Sequence, residues 1–297
     1  MRALVIVDVC EAESASLALA PLGRASALNR VLERAARIPG AHALACLLSN
    51  ATDYDELAEE AEACDALVLR GDPGDALTLA ADAASETGAE YVLRVSADRP
   101  FLDPALCARV LSLLAETDAD YACNDLPASW PHGLDCEAFS ARLLHWADYL
   151  ADHPGQRARP GHWIRTNSDL RKACLTGPGG DFARMRWTLN WPEDLAFAQA
   201  VFAQMGEAAA TANAKAPLGN SAGGPLKQGN YCWVDASPTG TGFWDACDST
   251  SPVPRGKSQR GTPPISHYSG AAGGGGQKAV LDVAGAGRVA GAFYRQR

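Results

Sequence analysis

Over its first two hundred residues the chain alternates short apolar runs with stretches of helical period, and this constrains the fold more than any other feature. ALVIVDV (residues 3–9), ALACLL (43–48), ALVLRG (66–71), EYVLRVSAD (90–98) and 118–124 read as strands. Between them, 26–38 places Leu28, Val31, Leu32 and Ala35 on one face, which is helical spacing. Segments 53–64 and 75–88 are also helical, the second closed by Gly88. Asp103-Pro104 opens another helix, with Asp103 as cap and Pro104 at its first position. This alternation predicts an α/β sandwich whose mostly parallel central sheet is covered on both faces. Ligands of such sheets lie at the carboxyl ends of the strands, where strand order reverses. Asp8, Gly71, Asp98 and Asn124 are therefore the positions to watch.

Residues 126–174 have a different texture, with a helix predicted over 140–154 and a loop bearing Arg157, Arg159, His162 and Arg165. An insertion that completes a substrate pocket has this character. A last helix follows Pro192, with Glu193 and Asp194 favourable to its dipole. The globular domain is expected to span residues 1–206. Beyond it, residues 207–297 form a low-complexity tail rich in Gly, Ala, Pro and Ser, with GGGG at 273–276. Gly and Pro make up roughly a quarter of that tail, which predicts disorder. Two aromatic islands, NYCWV and GFWDAC, interrupt it.

The net charge of −9 and the lack of a Lys/Arg block exclude nucleic acid as a partner. The nine cysteines contain no CxxC pair, so zinc is not indicated. Their odd number and the lack of a leader-like N-terminus predict a reducing cytoplasm. No run reaches the roughly 20 apolar residues of a membrane span.

Three segments carry candidate chemistry. In RVSADRPFLDP (94–104), strand alternation turns Val92, Arg94, Ser96 and Asp98 to one side. Asp98, the candidate catalytic residue, either holds a magnesium ion that grips phosphate oxygens or caps the turn after the strand. Arg94 and Ser96, on the same face, are the expected nucleotide-binding side chains. In WPHGLDCEAFS (130–140), Gly133 permits a tight turn. Asp135 and Glu137 there either bind sugar hydroxyls or a metal, or form an exposed polar strand face. In RMRWTLNWPEDL (184–195), Arg186, Thr188 and Asn190 are in phase. Asn190 either meets a ligand or caps the next helix.

In this order and spacing, RVSADRPFLDP, PHGLDCEAFS and RWTLNWPEDL resemble the SpsF-type cytidylyltransferases of spore-coat and surface polysaccharide synthesis. These are relatives of the CMP-Kdo and acylneuraminate cytidylyltransferases. Segments 20–41 and 68–77 fit the same family, so the resemblance covers roughly residues 2–205. It implies a GT-A-like fold, CTP and a sugar or sugar acid as partners, Mg²⁺ as cofactor, and a homodimer. By family position Asp98 and Asn190 would be the metal ligands, and Gly133, Asp135, Glu137 and Arg186 would line the sugar pocket.

The sequence departs from the family at three places. Where the family has a Gly-containing basic loop for the triphosphate, residues 8–19 have no Arg, Lys or Gly and carry Glu11 and Glu13. Asn190 stands where the family has Asp. In 157–165, Arg157 and Ile164-Arg165 are kept and the middle is not. The reading is an altered cytidylyltransferase, with a weakened homologue acting as a binding partner as the alternative. A glycosyltransferase ranks last, because the Asp98 strand reads A-D-R-P rather than D-x-D.

Overall fold

The computed structural model describes residues 1–10, 15, 17–213, 280–283 and 289–294. Its strands are β1 (Ala3–Asp8), β2 (Ala41–Ser49), β3 (Leu67–Gly71), β4 (Tyr91–Ser96), β5 (Tyr121–Cys123), β6 (Glu137–Ser140), β7 (Lys172–Leu175), β8 (Val280–Val283) and β9 (Val289–Tyr294). Its longer helices are α1 (Ala27–Ala35), α2 (Asp55–Glu62), α3 (Ala76–Thr87), α4 (Pro104–Glu116), α5 (Ala141–Leu150) and, after two short helical turns at Pro154–Arg157 and His162–Thr166, α6 (Pro192–Met205). These nine strands make one sheet in the order β8-β9-β7-β5-β6-β4-β1-β2-β3, and Pro21–Leu22 pairs with Ala25–Ser26 in a separate two-stranded sheet.

The predicted α/β class with a mostly parallel sheet is what forms. β1 pairs parallel with both β2 and β4, β2 with β3, and β5 with β7. Within the first two hundred residues β6 is the reversed strand, antiparallel to β4 and β5. Alternation sends Val5 and Val7 of β1 into one core and Leu4 and Ile6 into the other. The first core packs under α1, α2, α4 and α6, and the second under α3 and α5. Continuous apolar strands follow from this double coverage.

Local signals act where the sequence places them. Ser26 Oγ accepts from Asn29 N at 3.0 Å to cap α1. Asp103 Oδ1 accepts from Ala105 N and Leu106 N at 2.9 and 3.2 Å to cap α4, with Pro104 at its first position. Gly88 ends α3 at φ 58°, a left-handed geometry open to glycine.

The packed region continues beyond 206. A short 3₁₀ turn, Gly206–Ala210, brings Ala209, Ala210 and Ala212 into the first core. Arg34 holds them there, donating to the carbonyls of Ala209, Ala212 and Leu102 at 2.6, 2.8 and 2.8 Å. Burial lowers the Arg34 pKa to about 10, and the guanidinium stays charged at neutral pH. Arg34→Met keeps the bulk but strands these buried carbonyls, so it is expected to cost about 3 kcal/mol. Urea unfolding checks this, and an unchanged midpoint would refute the clamp. Within the tail, β8 and β9 form an antiparallel pair, and β9 lies antiparallel on β7. The rest of the tail, including the aromatic islands and the expected disorder, lies outside the described residues.

Candidate functional site

Strand order reverses between β1 and β4, so Asp8 and Asp98 stand at a topological switch point, where α/β sheets bind ligands. Because β6 runs antiparallel to β4, its first residue, Glu137, lies in register with Arg94. This brings the 133–137 segment to the same edge of the sheet. The 186–190 segment joins it: His132 bridges to Arg186 in parallel, and Leu189 N donates to the Asp98 carbonyl at 2.8 Å.

Asp98 is buried. Its Oδ2 accepts from Thr188 Oγ1 at 2.5 Å and from Asn190 Nδ2 at 2.9 Å. Its Oδ1 lies 3.5 Å from Arg99 Nε. Burial pushes the Asp98 carboxyl up, but the Arg99 charge and the donors Thr188, Ser96 and Asn190 outweigh it and hold the group below its ordinary range. Asp98 is therefore an anion, and a turn cap is not its role.

Asn190 does not cap α6. That work belongs to Asp194, whose Oδ2 accepts from Asn190 N and Trp191 N at 3.0 and 3.1 Å. The Asn190 side chain instead links Asp98 to Arg186, its Oδ1 accepting from Arg186 Nη2 at 2.7 Å. Arg186 also grips Asp194 through Nε and Nη2, at 3.0 and 2.9 Å. Asp98, Asn190, Thr188, Arg186 and Asp194 thus form one continuous polar network.

The remaining predicted residues divide. Gly133 has φ +109°, and a Cβ there would stand 2.5 Å from the Trp187 carbonyl carbon and 2.8 Å from Thr188 N. It is needed for close backbone approach, and Trp187 N donates to His132 O at 2.6 Å beside it. Asp135 faces Arg99, which donates to its carbonyl and lies 3.6 Å from its Oδ2. Glu137 turns elsewhere: its Oε1 pairs with Arg94 at 3.0 Å and its Oε2 accepts from Tyr121 at 2.7 Å. The two carboxylates therefore serve different arginines rather than acting as a pair. Arg94 also donates to Asp8 Oδ2 through Nε and Nη2, at 3.0 and 2.6 Å. Arg94 is therefore a strut between Asp8 and Glu137, and Ser96 is buried next to Asp98.

Sequence reasoning gave no site role to Arg99, Thr188 or Asp194 and missed the pairing of Asp8 with Arg94. The last had a signal: Asp8 and Arg94 point the same way on adjacent parallel strands and carry opposite charges.

Magnesium calls for near-octahedral oxygen ligands, with carboxylates foremost. Here Asp98 is one carboxylate flanked by a guanidinium, and Asn190 turns its amide nitrogen, not its oxygen, toward Asp98. Reversing the amide would set its nitrogen against Arg186 and its oxygen against the Asp98 carboxylate, so the network fixes this orientation. Among the described residues, no group of three or more His, Cys, Asp or Glu is placed to hold a metal ion. As arranged, Asp98 and Asn190 do not by themselves make a magnesium site. Glu11 and Glu13 lie outside the described residues.

The mostly parallel sheet, with β6 and β9 reversed, thus carries a polar network at its switch point. Residues 16–169 match the MobA-like NTP transferase domain, and the chain belongs to that family. No curated protein matches the sequence. A cytidylyltransferase from Leptospira borgpetersenii serovar Hardjo-bovis (strain JB197) shares the fold at a TM-score of 0.61 and 18% identity, over 68% of this chain and 86% of that one. A nucleotidyl transferase from Methanothermobacter thermautotroptrophicus is similar over 69% of this chain and 99% of its own, at 17% identity and a TM-score of 0.48. The CMP:2-keto-3-deoxy-manno-octonic acid synthetase complexed with CTP is similar over 68% and 98%, at 13% identity and a TM-score of 0.48. No helix among the described residues is long and apolar enough to cross a membrane.

Proposed function

We propose that this protein is a cytidylyltransferase that moves CMP from CTP to a sugar acid in surface-polysaccharide or glycan synthesis. The observation that carries the reading is the convergence of Asp98, Arg99, Asn190 and Arg186 at the carboxyl end of β4, in a MobA-like NTP transferase domain. Arg186 is a third exposed at that edge. Its positive charge favours an anionic acceptor, and one Nη1 N–H remains beyond those directed at Asp194, Asn190 and His132. Asp98 orients Thr188 and Asn190, and through Asn190 it sets the position of Arg186.

A second reading has its own support. Arg94, Arg99 and Arg186 each already face a carboxylate of this chain, leaving less positive charge for a triphosphate. A weakened homologue that binds without transferring would look like this. Calorimetric titration with CTP, with and without Mg²⁺, separates the two. Micromolar affinity supports the transferase, and no heat at millimolar CTP supports the weakened homologue.

The homodimer implied by the resemblance has a candidate surface. Trp146, Tyr149 and Leu150 are 61%, 87% and 44% exposed on α5, and their spacing puts them on one face. Trp146→Glu is expected to shift a dimer to monomer in light scattering. A wild-type monomer, or a variant that stays dimeric, would contradict this surface.

A further inference from the structure

A second feature of the sheet lies away from Asp98. Cys123 of β5 and Cys174 of β7 are directly opposite each other in the parallel register. Neighbouring strands lie about 4.8 Å apart, within the roughly 4.4–6.8 Å that a disulfide spans between Cα atoms. The register sets the two thiols side by side on the same face of the sheet. Cys174 also lines a pocket of about 440 Å³, together with Leu126, Pro127, Arg165, Leu170 and Lys172. Cys123 is fully buried behind it.

The surroundings make the two sulfurs unequal. The neighbouring Cys123 thiol, with the Leu126 N–H and the Arg165 charge, holds Cys174 below the ordinary thiol value against burial and the Asp125 charge. The same pairing, and burial, push Cys123 up. A pocket-lining thiol in cross-strand register with a second thiol is the arrangement of a redox-reactive site.

We propose that Cys174 and Cys123 form a redox-reactive dithiol, in which a hydroperoxide entering the pocket oxidises Cys174 and Cys123 then closes a disulfide. The Cys174 thiolate attacks one peroxide oxygen and the O–O bond breaks. For hydrogen peroxide this leaves Cys174 as a sulfenic acid, and the departing hydroxide takes up a proton. Cys123 then attacks the Cys174 sulfur, the S–S bond forms and water leaves. The two thiols lose two electrons together, and the peroxide becomes two waters.

Side chains on neighbouring parallel strands stand about as far apart as the strands themselves, farther than the roughly 3.8 Å Cβ separation of a relaxed disulfide. The bond is therefore strained and reducible, which suits a reversible modification. Its effect reaches the Asp98 edge through the next residue. Asn124 Nδ2 donates to Leu134 O and Asn124 Oδ1 accepts from Cys136 N, both at 2.9 Å, pinning the backbone on either side of Asp135.

The molecule contains its own control. Cys107 and Cys136 are a second pair of cysteines, buried like Cys174, but neither lines this pocket. The full chain, treated under native conditions with excess hydrogen peroxide, is mapped by non-reducing peptide mass spectrometry. The expected result is a Cys123–Cys174 crosslink that dithiothreitol reverses, with Cys107 and Cys136 still reduced. In Cys123→Ser, dimedone is expected to label Cys174. Iodoacetamide is expected to alkylate Cys174 of the untreated protein roughly tenfold faster than Cys107. Cys174 remaining reduced, pairing instead with Cys232 or Cys247, or oxidising no faster than Cys107 would each overturn the proposal. If the serine variant does not fold, the wild-type map decides alone.

Discussion

Asp98→Asn is expected to destabilise the fold by about 3 kcal/mol, the usual scale for removing one partner of a buried ion pair, and to lower turnover by about a hundredfold or more. The substitution keeps the shape but puts a neutral amide beside Arg99, which is largely buried and lies 3.5 Å from Oδ1. It also puts an amide in the cluster of Thr188 and Asn190, both of which donate to Oδ2. One amide oxygen cannot serve both donors and Arg99 as the carboxylate does. The Asn190–Arg186 link then loses its anchor. The stability difference also has a pH signature. The folded-state pKa of Asp98 is depressed, so its contribution is present above the unfolded value of about 3.9 and is lost as pH falls through the folded value. Wild type and Asp98→Asn should therefore differ in urea midpoint at pH 7 and converge in acid below about pH 4. A gap that persists unchanged in acid would show that the ionised carboxylate is not its source.

Gly133→Ala carries the second large effect. The new Cβ would meet the backbone of Trp187 and Thr188 at 2.5–2.8 Å, and backbone cannot rotate away as a flexible side chain can. The residue also sits at φ +109°, outside the regions open to alanine. The 132–133 and 185–188 segments must then separate, breaking His132 N to Met185 O at 3.0 Å and Trp187 N to His132 O at 2.6 Å. The expected cost is about 3 kcal/mol or more, with loss of nucleotide binding in calorimetry. Gly179 provides the contrast. Its φ is +70°, but nothing lies within 4 Å of its Cβ position, so Gly179→Ala is expected to cost only about 1 kcal/mol. Equal costs at the two positions would show that backbone conformation, rather than close approach, governs Gly133.

The scaffold was legible because its determinants are local. The β1 run is apolar on both faces because helices cover both, and the Asp103-Pro104 cap and Gly88 stop act within one turn of their helices. The site was legible only in part, because its partners are distant in the chain. Asp98 meets Thr188 and Asn190 across 90 and 92 residues, and Arg94 meets Asp8 across 86. Spacing in the sequence brings Asp135 and Glu137 together, yet Glu137 begins β6 while Asp135 precedes it, and each turns to its own arginine. The change in composition after Met205 marks where helix α6 ends, but not where packing ends. Small alanines at 209–212 still fill the core under Arg34, and such residues carry little hydrophobic signal.

Asp98 was a strand-end carboxylate in the sequence and is an ionised centre in the fold, surrounded by hydrogen-bond donors rather than by further carboxylates. The most direct test of the proposed function is pyrophosphate release by the full-length protein, across the four nucleoside triphosphates and a panel of sugars and sugar acids. The account predicts release that requires both CTP and a sugar acid and disappears in Asp98→Asn. Release that is absent with every pairing, or undiminished in the variant, would contradict it.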